Sequence, residues 1–296
     1  MFPTRKIYLV PTAHGGVLRL GEGTLVMGIL NVTPDSFAEA HILDTKTAVD
    51  AALRMQDQGA DLLDIGGEST RPGAAPVSVA EELARVLPVI RALAGKVRIP
   101  ISVDTYKAEV ARACLSEGAA MVNDISGLRY DPPLAEAIAD AGAALVLMHN
   151  RGRSAAMYLE ANYRDVAGEV ATELGVGVAA AIAAGVSRDR VIIDPGIGFA
   201  KRPAHSYGVL AHLPEIAAAL DLPMLVGPSR KSFMSEALDQ RPAPERDWGT
   251  AATVAAAVLA GVHIVRVHAV GEMVQVVRVA EEIRAAQLKQ FDELDH

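Results

Sequence analysis

Polar and charged side chains able to do chemistry recur at one place in a repeating pattern, at or just after the C-terminal end of each short apolar run. Asn31 follows the run at 24–30. Asp64 sits in the run at 61–65, which leads into Gly66-Gly67-Glu68-Ser69-Thr70-Arg71. Asp104 follows 99–103, Asn123-Asp124 end 120–123, His149 follows 144–148 and Asp194 ends 191–194. Ser229-Arg230-Lys231 follow 223–227, while Arg266 and His268 close 262–267. Side chains two apart on a strand share a face, so Arg266 points with His268 and Ser102 with Asp104. Three acceptors (Asp104, Asn123, Asp194) suit a heterocycle presenting N–H groups, because buried N–H groups need acceptors. Lys231, Arg71, Arg266 and His268 suit an anion such as phosphate. The ligand class implied is a flat nitrogen heterocycle carrying a phosphate group. No His/Cys metal cluster is visible, though Mg²⁺ held mainly through phosphate oxygens leaves little sequence signature.

Taken singly, each residue has a plainer explanation. An Asp at a strand end is often the N-cap of the next helix, an Asn is often a turn residue, and a lone His is more often structural than catalytic. The repetition of the pattern at eight strand ends is what carries the inference.

Eight apolar runs, each followed by a stretch with helical features, imply a parallel α/β sheet, and eight is the number that closes a (β/α)8 TIM-type barrel. Active sites of such barrels lie at the C-terminal ends of the strands. Ser78-Val79-Ala80-Glu81 reads as a capping box, followed by Val79, Leu83, Val86, Leu87 and Ile90 at helical spacing. Pro88 inside that run predicts a kink or split. Asp131-Pro132 reads as an N-cap with proline at the first helical position. Met273, Val276, Val277, Ala280 and Ile283 form the apolar stripe of a closing helix. Residues 5–20, around His14-Gly15-Gly16, read as a hairpin capping the lower end of the barrel, and 150–163 as a long connection of the length that is often functional.

The 296 residues fit one barrel domain, 1–296. Hydrophobic residues make up 51% and aromatic ones only 4%, so the core is aliphatic, as strands buried on both faces require. A net charge of −8 without a basic stretch argues against nucleic acid as main partner. One cysteine, Cys114, excludes an intrachain disulfide. The opening residues contain no apolar run of signal-peptide length, and the expected compartment is the cytoplasm.

Met27-Gly28-Ile29-Leu30-Asn31-Val32-Thr33-Pro34-Asp35-Ser36-Phe37 and Asp64-Ile65-Gly66-Gly67-Glu68-Ser69-Thr70-Arg71-Pro72-Gly73 resemble the two signatures of the dihydropteroate synthases. Matches continue in order through Asp104, Asn123-Asp124, Met148-His149, 194–199, 229–233 and Arg266-Val267-His268, so the resemblance spans 27–268. It implies that Asp104, Asn123, Asp194 and Lys231 hold a pterin ring, with Met148 and Phe199 packed around it. Asn31, Thr70, Arg266 and His268 would bind pyrophosphate, with Asn31 near Mg²⁺. Arg71, Pro72 and Ser232 would flank p-aminobenzoate, where sulfonamides compete. Asp35 would steady a pterin cation, making Asp35, Lys231, Arg266 and His268 the catalytic set of a transferase in folate biosynthesis. The resemblance also implies a homodimer. Two departures stand out: Ala38-Glu39-Ala40-His41-Ile42 replaces an Asp-Gly-Gly-like turn, with less conformational freedom, and Pro228 stands where a small or apolar residue is expected. The competing readings are a pterin-binding paralog with weak or no synthase activity, a pterin-dependent methyltransferase serving corrinoid proteins, which has no need of the Arg266/His268 pair, and an unrelated phosphosugar barrel, which has no use for the three acceptors.

Overall fold

The computed structural model describes residues 2–33, 45–69, 74–152, 158–159 and 161–292. Asp35, residues 38–42, Thr70, Arg71 and Pro72 lie outside the described residues. A hairpin, β1 (Tyr8–Pro11) and β2 (Val17–Leu20), precedes the barrel strands β3 (Leu25–Asn31), β4 (Leu62–Gly66), β5 (Ile101–Asp104), β6 (Met121–Asp124), β7 (Ala144–Met148), β8 (Val191–Asp194), β9 (Leu225–Val226) and β10 (Ile264–Val267). The eight barrel strands run parallel in the order β8-β7-β6-β5-β4-β3-β10-β9. The ring closes where Ile193 bridges Met224 in parallel and its N–H donates to the Pro223 carbonyl at 2.9 Å.

Strand alternation sorts the aliphatic side chains into two cores. Val26, Leu63, Ile65, Val103, Val122, Leu145, Ile193 and Val265 point outward into one core with the helices. Met27, Leu62, Met121, Val146, Ile192, Leu225 and Ile264 point inward and meet Val10, Leu18 and Leu20 of the hairpin. The hairpin thus plugs the lower end of the barrel, as its sequence predicts. Asp64, Ser102, Asp104, Asn123, Asp194 and Arg266 lie one or two inward positions further along their strands, so the polar residues gather at the opposite end. The register makes this explicit: Asp64 pairs with Ser102 and Asp104 with Asn123.

The outer layer consists of α1 (Thr45–Asp57), α2 (Val79–Leu93), α3 (Ala108–Ser116), α4 (Leu134–Asp140), α5 (Val166–Ala183), α6 (Pro203–Ala211), α7 (Leu213–Leu220), α8 (Asp247–Leu259) and α9 (Val270–Asp292). Ser78 caps α2, accepting from the Glu81 N–H at 3.2 Å. Three expectations need correction. Pro88 does not split α2, which runs through it with Val86, Val89, Ile90 and Leu93 buried on both sides. Asp131 does not cap the helix that follows it. Its carboxylate accepts from the Ala108 N–H at 2.7 Å and so serves the start of α3, while Pro133 stands at the N-cap of α4. Ile283 is exposed, because the buried stripe of α9 runs through Met273, Val277 and Ala280 to Arg284, whose guanidinium donates to the Leu259 and Pro3 carbonyls. By length and composition α5 could cross a membrane. In the fold it packs against β7, α6 and α7 as an outer barrel helix and carries Glu169 and Glu173.

Candidate active site

A cavity of about 910 Å³ opens at the C-terminal ends of the strands, lined among others by Asn31, Asp104, Asn123, Met148, Asp194, Phe199, Lys231, Ser232, Arg266 and His268. Every described residue singled out as a site residue therefore meets in one place, although these residues come from six strands and from the segments after three strands. Glu68, Ser69, Ser229, Pro244 and Arg246 also line it. Of these, Pro244 and Arg246 belong to the long connection before α8, which shows no strand-end signal in the sequence.

Asp64 is the node of the floor. Its Oδ2 accepts from Arg266 Nε at 2.6 Å and from Asn123 Nδ2 at 2.8 Å. Arg266 Nη2 donates to Asp104 Oδ2 at 2.6 Å. The guanidinium is thus tied across two carboxylates at the floor. Because the Asn123 amide nitrogen is engaged by Asp64, its oxygen is the atom left to accept from a ligand. Asp64 Oδ1 and Ser102 Oγ, neighbours in register, are buried without a hydrogen-bond partner. Burial, the cost of ionising a carboxyl away from water, pushes Asp104 up to about 7, opposed by the Arg266 charge. At Arg266 burial is the largest single influence but not the winning one. There desolvation works against the charge, but Asp64 and Asp104 prevail and hold the group above its ordinary value.

The opposite wall is cationic. Lys231 Nζ donates to the Ile197 carbonyl at 2.6 Å and sits 4.5 Å from the centroid of the Phe199 ring. Burial lowers its pKa to about 8, with Asp194 pulling the other way. Asp194 in turn is raised by burial and lowered by Lys231, and its Oδ1 accepts from the Gly196 N–H at 2.7 Å. At the rim the Ser229 hydroxyl lies 2.9 Å from His268 Nδ1 and accepts from the His268 backbone N–H at 3.2 Å. These two contacts fix the orientation of the His268 ring at its Nδ1 edge. Arg230, at φ 57°, is held by a two-pronged ion pair to Asp247 at 2.7 Å and fixes the turn that presents Lys231 and Ser232.

Besides Asp64, which is fully buried beneath the lining residues, two strand-end residues do not enter the cavity. Asp124 turns its carboxylate back to the Ser126 and Leu128 N–H groups, at 2.8 and 2.6 Å. His149 is buried behind the 194–199 turn, between Lys201 and Glu173. Among the described residues no group of three or more His, Cys, Asp or Glu could hold a metal ion. Asn31 offers a single amide oxygen at the cavity, a donor set that fits only an ion bound mostly by ligand oxygens and water.

The family described as "Pterin binding enzyme" matches residues 27–268. The dihydropteroate synthase of Synechocystis is 47% identical over 264 residues, 89% of this chain and 91% of that protein. A Xanthomonas albilineans dihydropteroate synthase solved with 4-aminobenzoic acid superposes with a TM-score of 0.86 at 42% identity, covering 93% of this chain and 99% of that one. The same organism's enzyme in complex with 7,8-dihydropteroate gives a TM-score of 0.83 at 39% identity, covering 93% and 99%. A barrel closed by eight parallel strands, with acceptors and cations gathered at one end and relatives this similar over nearly their whole length, leaves one assignment: the chain belongs to the pterin-binding enzymes and, among them, to the dihydropteroate synthases, transferases of folate synthesis.

Proposed function

We propose that this chain condenses 6-hydroxymethyl-7,8-dihydropterin pyrophosphate with p-aminobenzoate, giving 7,8-dihydropteroate and pyrophosphate. The observation that carries the reading is the floor of the cavity, where Asp104, Asn123 and Asp194 present acceptors opposite Lys231 and Arg266. These acceptors match the N–H edge of a pterin, and Met148 and Phe199 supply its apolar contacts. Asn31, Arg266 and His268 face the pyrophosphate. Ser232 and Lys231 flank the amine, with Arg71 and Pro72 assigned there by the resemblance, as Thr70 is to pyrophosphate and Asp35 to the cation.

The bond from the pterin's exocyclic methylene to the pyrophosphate oxygen breaks, and the pyrophosphate keeps the electron pair. The aromatic amine then forms a C–N bond to the methylene carbon and releases a proton. Hydrogen-bond donors fixed where the charge develops are worth roughly 3–4 kcal/mol each. Arg266, anchored by Asp64 and Asp104, and His268, its Nδ1 occupied by Ser229, are pre-oriented for that task. The amine is already nucleophilic and needs no covalent enzyme intermediate. Mg²⁺ belongs to the proposal, with Asn31 as its protein donor, and when bound it neutralises part of the pyrophosphate charge. A cytoplasmic setting and a homodimer are further parts of the reading, the first supported by the single buried Cys114, the second by exposed Val176, Ile182, Tyr207 and Trp248 on the outer helices. Sulfonamides would compete with the amine.

Pyrophosphate release on mixing both substrates with Mg²⁺ tests the proposal. Release that needs the amine and falls at least ~100-fold in Arg266→Ala is expected. Binding of the pterin without release would instead identify a paralog disabled at residues 38–42, and failure to bind the pterin would remove the assignment of the floor.

A further inference from the structure

Lys201 has no role in the proposed chemistry, yet it is among the largest fully buried side chains, at 1% exposure. Its ammonium has three acceptors, one for each N–H: the Gly196 carbonyl at 3.1 Å, the Phe199 carbonyl at 3.1 Å and His149 Nδ1 at 2.8 Å. Burial pulls the lysine well below its ordinary pKa, with the Asp194 charge working the other way, and such complete satisfaction is what an ammonium needs to persist there. The proton arrangement follows from the far side of the histidine. Glu173 Oε2 lies 3.1 Å from His149 Nε2, and Glu173 also receives Arg151. A carboxylate held by a guanidinium accepts, so Nε2 carries the ring proton and Nδ1 is the bare nitrogen facing Lys201.

The turn that Lys201 grips is one that a chain adopts reluctantly. Gly196, Gly198 and Ala200 all have positive φ (69°, 79° and 46°), and Ala200 has a side chain. Its carbonyls are nevertheless almost all spoken for by side chains. Lys201 takes those of Gly196 and Phe199, Lys231 takes Ile197, and Tyr163 donates to Ala200 at 3.0 Å. The Ile197 carbonyl and the Phe199 ring are the two groups that hold the Lys231 ammonium in the cavity wall. Withdrawing Lys201 leaves the Phe199 carbonyl without its lysine donor and the Gly196 carbonyl with the Phe199 N–H alone, and so loosens the strained turn that mounts Lys231 and Phe199.

We propose that Lys201 is a positioning residue for the ring-binding wall, held in place by the bare Nδ1 of His149, whose proton placement Glu173 dictates. This rests on the assignment of Asp194, Phe199 and Lys231 to the pterin ring. The role explains why an ammonium, costly to bury, stands where an apolar side chain would pack.

The test measures KM for the pterin pyrophosphate, kcat and melting temperature in Lys201→Met, His149→Leu, His149→Asn and Asp194→Asn. Methionine keeps the length without the donors, and asparagine can present an oxygen close to where Nδ1 stood while leucine cannot. Lys201→Met and His149→Leu are expected to raise KM for the pterin about tenfold or more, the scale of a misplaced binding group, whereas His149→Asn stays within about threefold of wild type. A lowered melting temperature with KM unchanged in Lys201→Met would overturn the proposal, since a stabilising role alone removes active enzyme without altering its affinity. If Lys201→Met does not fold, equal KM values in His149→Leu and His149→Asn overturn it. Asp194→Asn separates the two levels. If it leaves KM unchanged, the ring assignment itself has failed, and if it raises KM while Lys201→Met does not, only the role of Lys201 has.

Discussion

Asp104 combines a binding role with a thermodynamic burden. The folded carboxyl titrates at about 7 because burial disfavours its charge, against an ordinary value of 3.8. Between those pH values the folded state binds more protons than the unfolded one, so the contribution to stability declines as pH rises through the window. Asp104→Asn removes that penalty and leaves Arg266 paired with Asp64. At pH 8 we expect a melting temperature equal to or above wild type, read by calorimetry, together with a ~10–100-fold rise in KM for the pterin, the range for losing a charged hydrogen bond. A clear fall in melting temperature would mean that the Arg266–Asp104 pair stabilises the fold. The residues of this floor were legible in the sequence because they interrupt apolar runs at regular places. Their connections were not: nothing in the spacing of Asp64, Asn123 and Arg266 reveals that one carboxylate oxygen joins all three. Lys201 was equally silent, since a lysine after a glycine turn reads as surface.

At the scale of elements, the turn after β8 is the least tolerant feature. A Cβ at Gly196 would lie 1.9 Å from the His149 carbonyl, a backbone atom that cannot swing away, and φ is +69°. Gly196→Ala is therefore expected to lower stability by more than ~2 kcal/mol and to abolish pterin binding, measured by urea unfolding and by titration. Ser78→Ala, by contrast, loses the α2 cap, with an expected cost of about 1 kcal/mol and no change in KM. All eight strands and the hairpin follow from periodicity and turn residues. The misread details concern partners distant in sequence. Asp131 serves α3 because the chain folds its carboxylate back onto Ala108, 23 residues earlier. Ile283 turns outward because the stripe on α9 continues through Arg284, whose charge disguises a buried position.

For the whole molecule, two buried histidines set a limit on acid tolerance. Burial holds His149 at about 4, with the Lys201 charge adding to it, and burial likewise holds His263 at about 4. Both lie below the ordinary 6.5, so the unfolded state binds more protons between pH 6.5 and 4. Stability from these residues is intact above that window and lost as pH falls through it, by up to about 3 kcal/mol each. The raised carboxyls act in the opposite sense, so the test is a difference. The urea midpoint of His263→Gln should drop less than wild type between pH 7 and pH 5, and an equal drop would refute the assignment. Sedimentation of the purified chain decides the homodimer, which no periodicity in the sequence encodes.

The hairpin that closes the barrel floor carries a consequence in time. Arg5 donates to the Gly261 carbonyl and pairs with Glu281, and Phe2 bonds to Gln287, contacts that span 256, 276 and 285 residues. A ribosome adding roughly 5–20 residues per second makes the first residues of these pairs nearly a minute, at the slower rate, before the last. Throughout that interval Val10, Leu18 and Leu20 have been synthesised without the complete ring of strands they are shaped to seal. A segment made ahead of every barrel strand is thus among the last to find its place, and its apolar face is where a chaperone would hold the nascent chain.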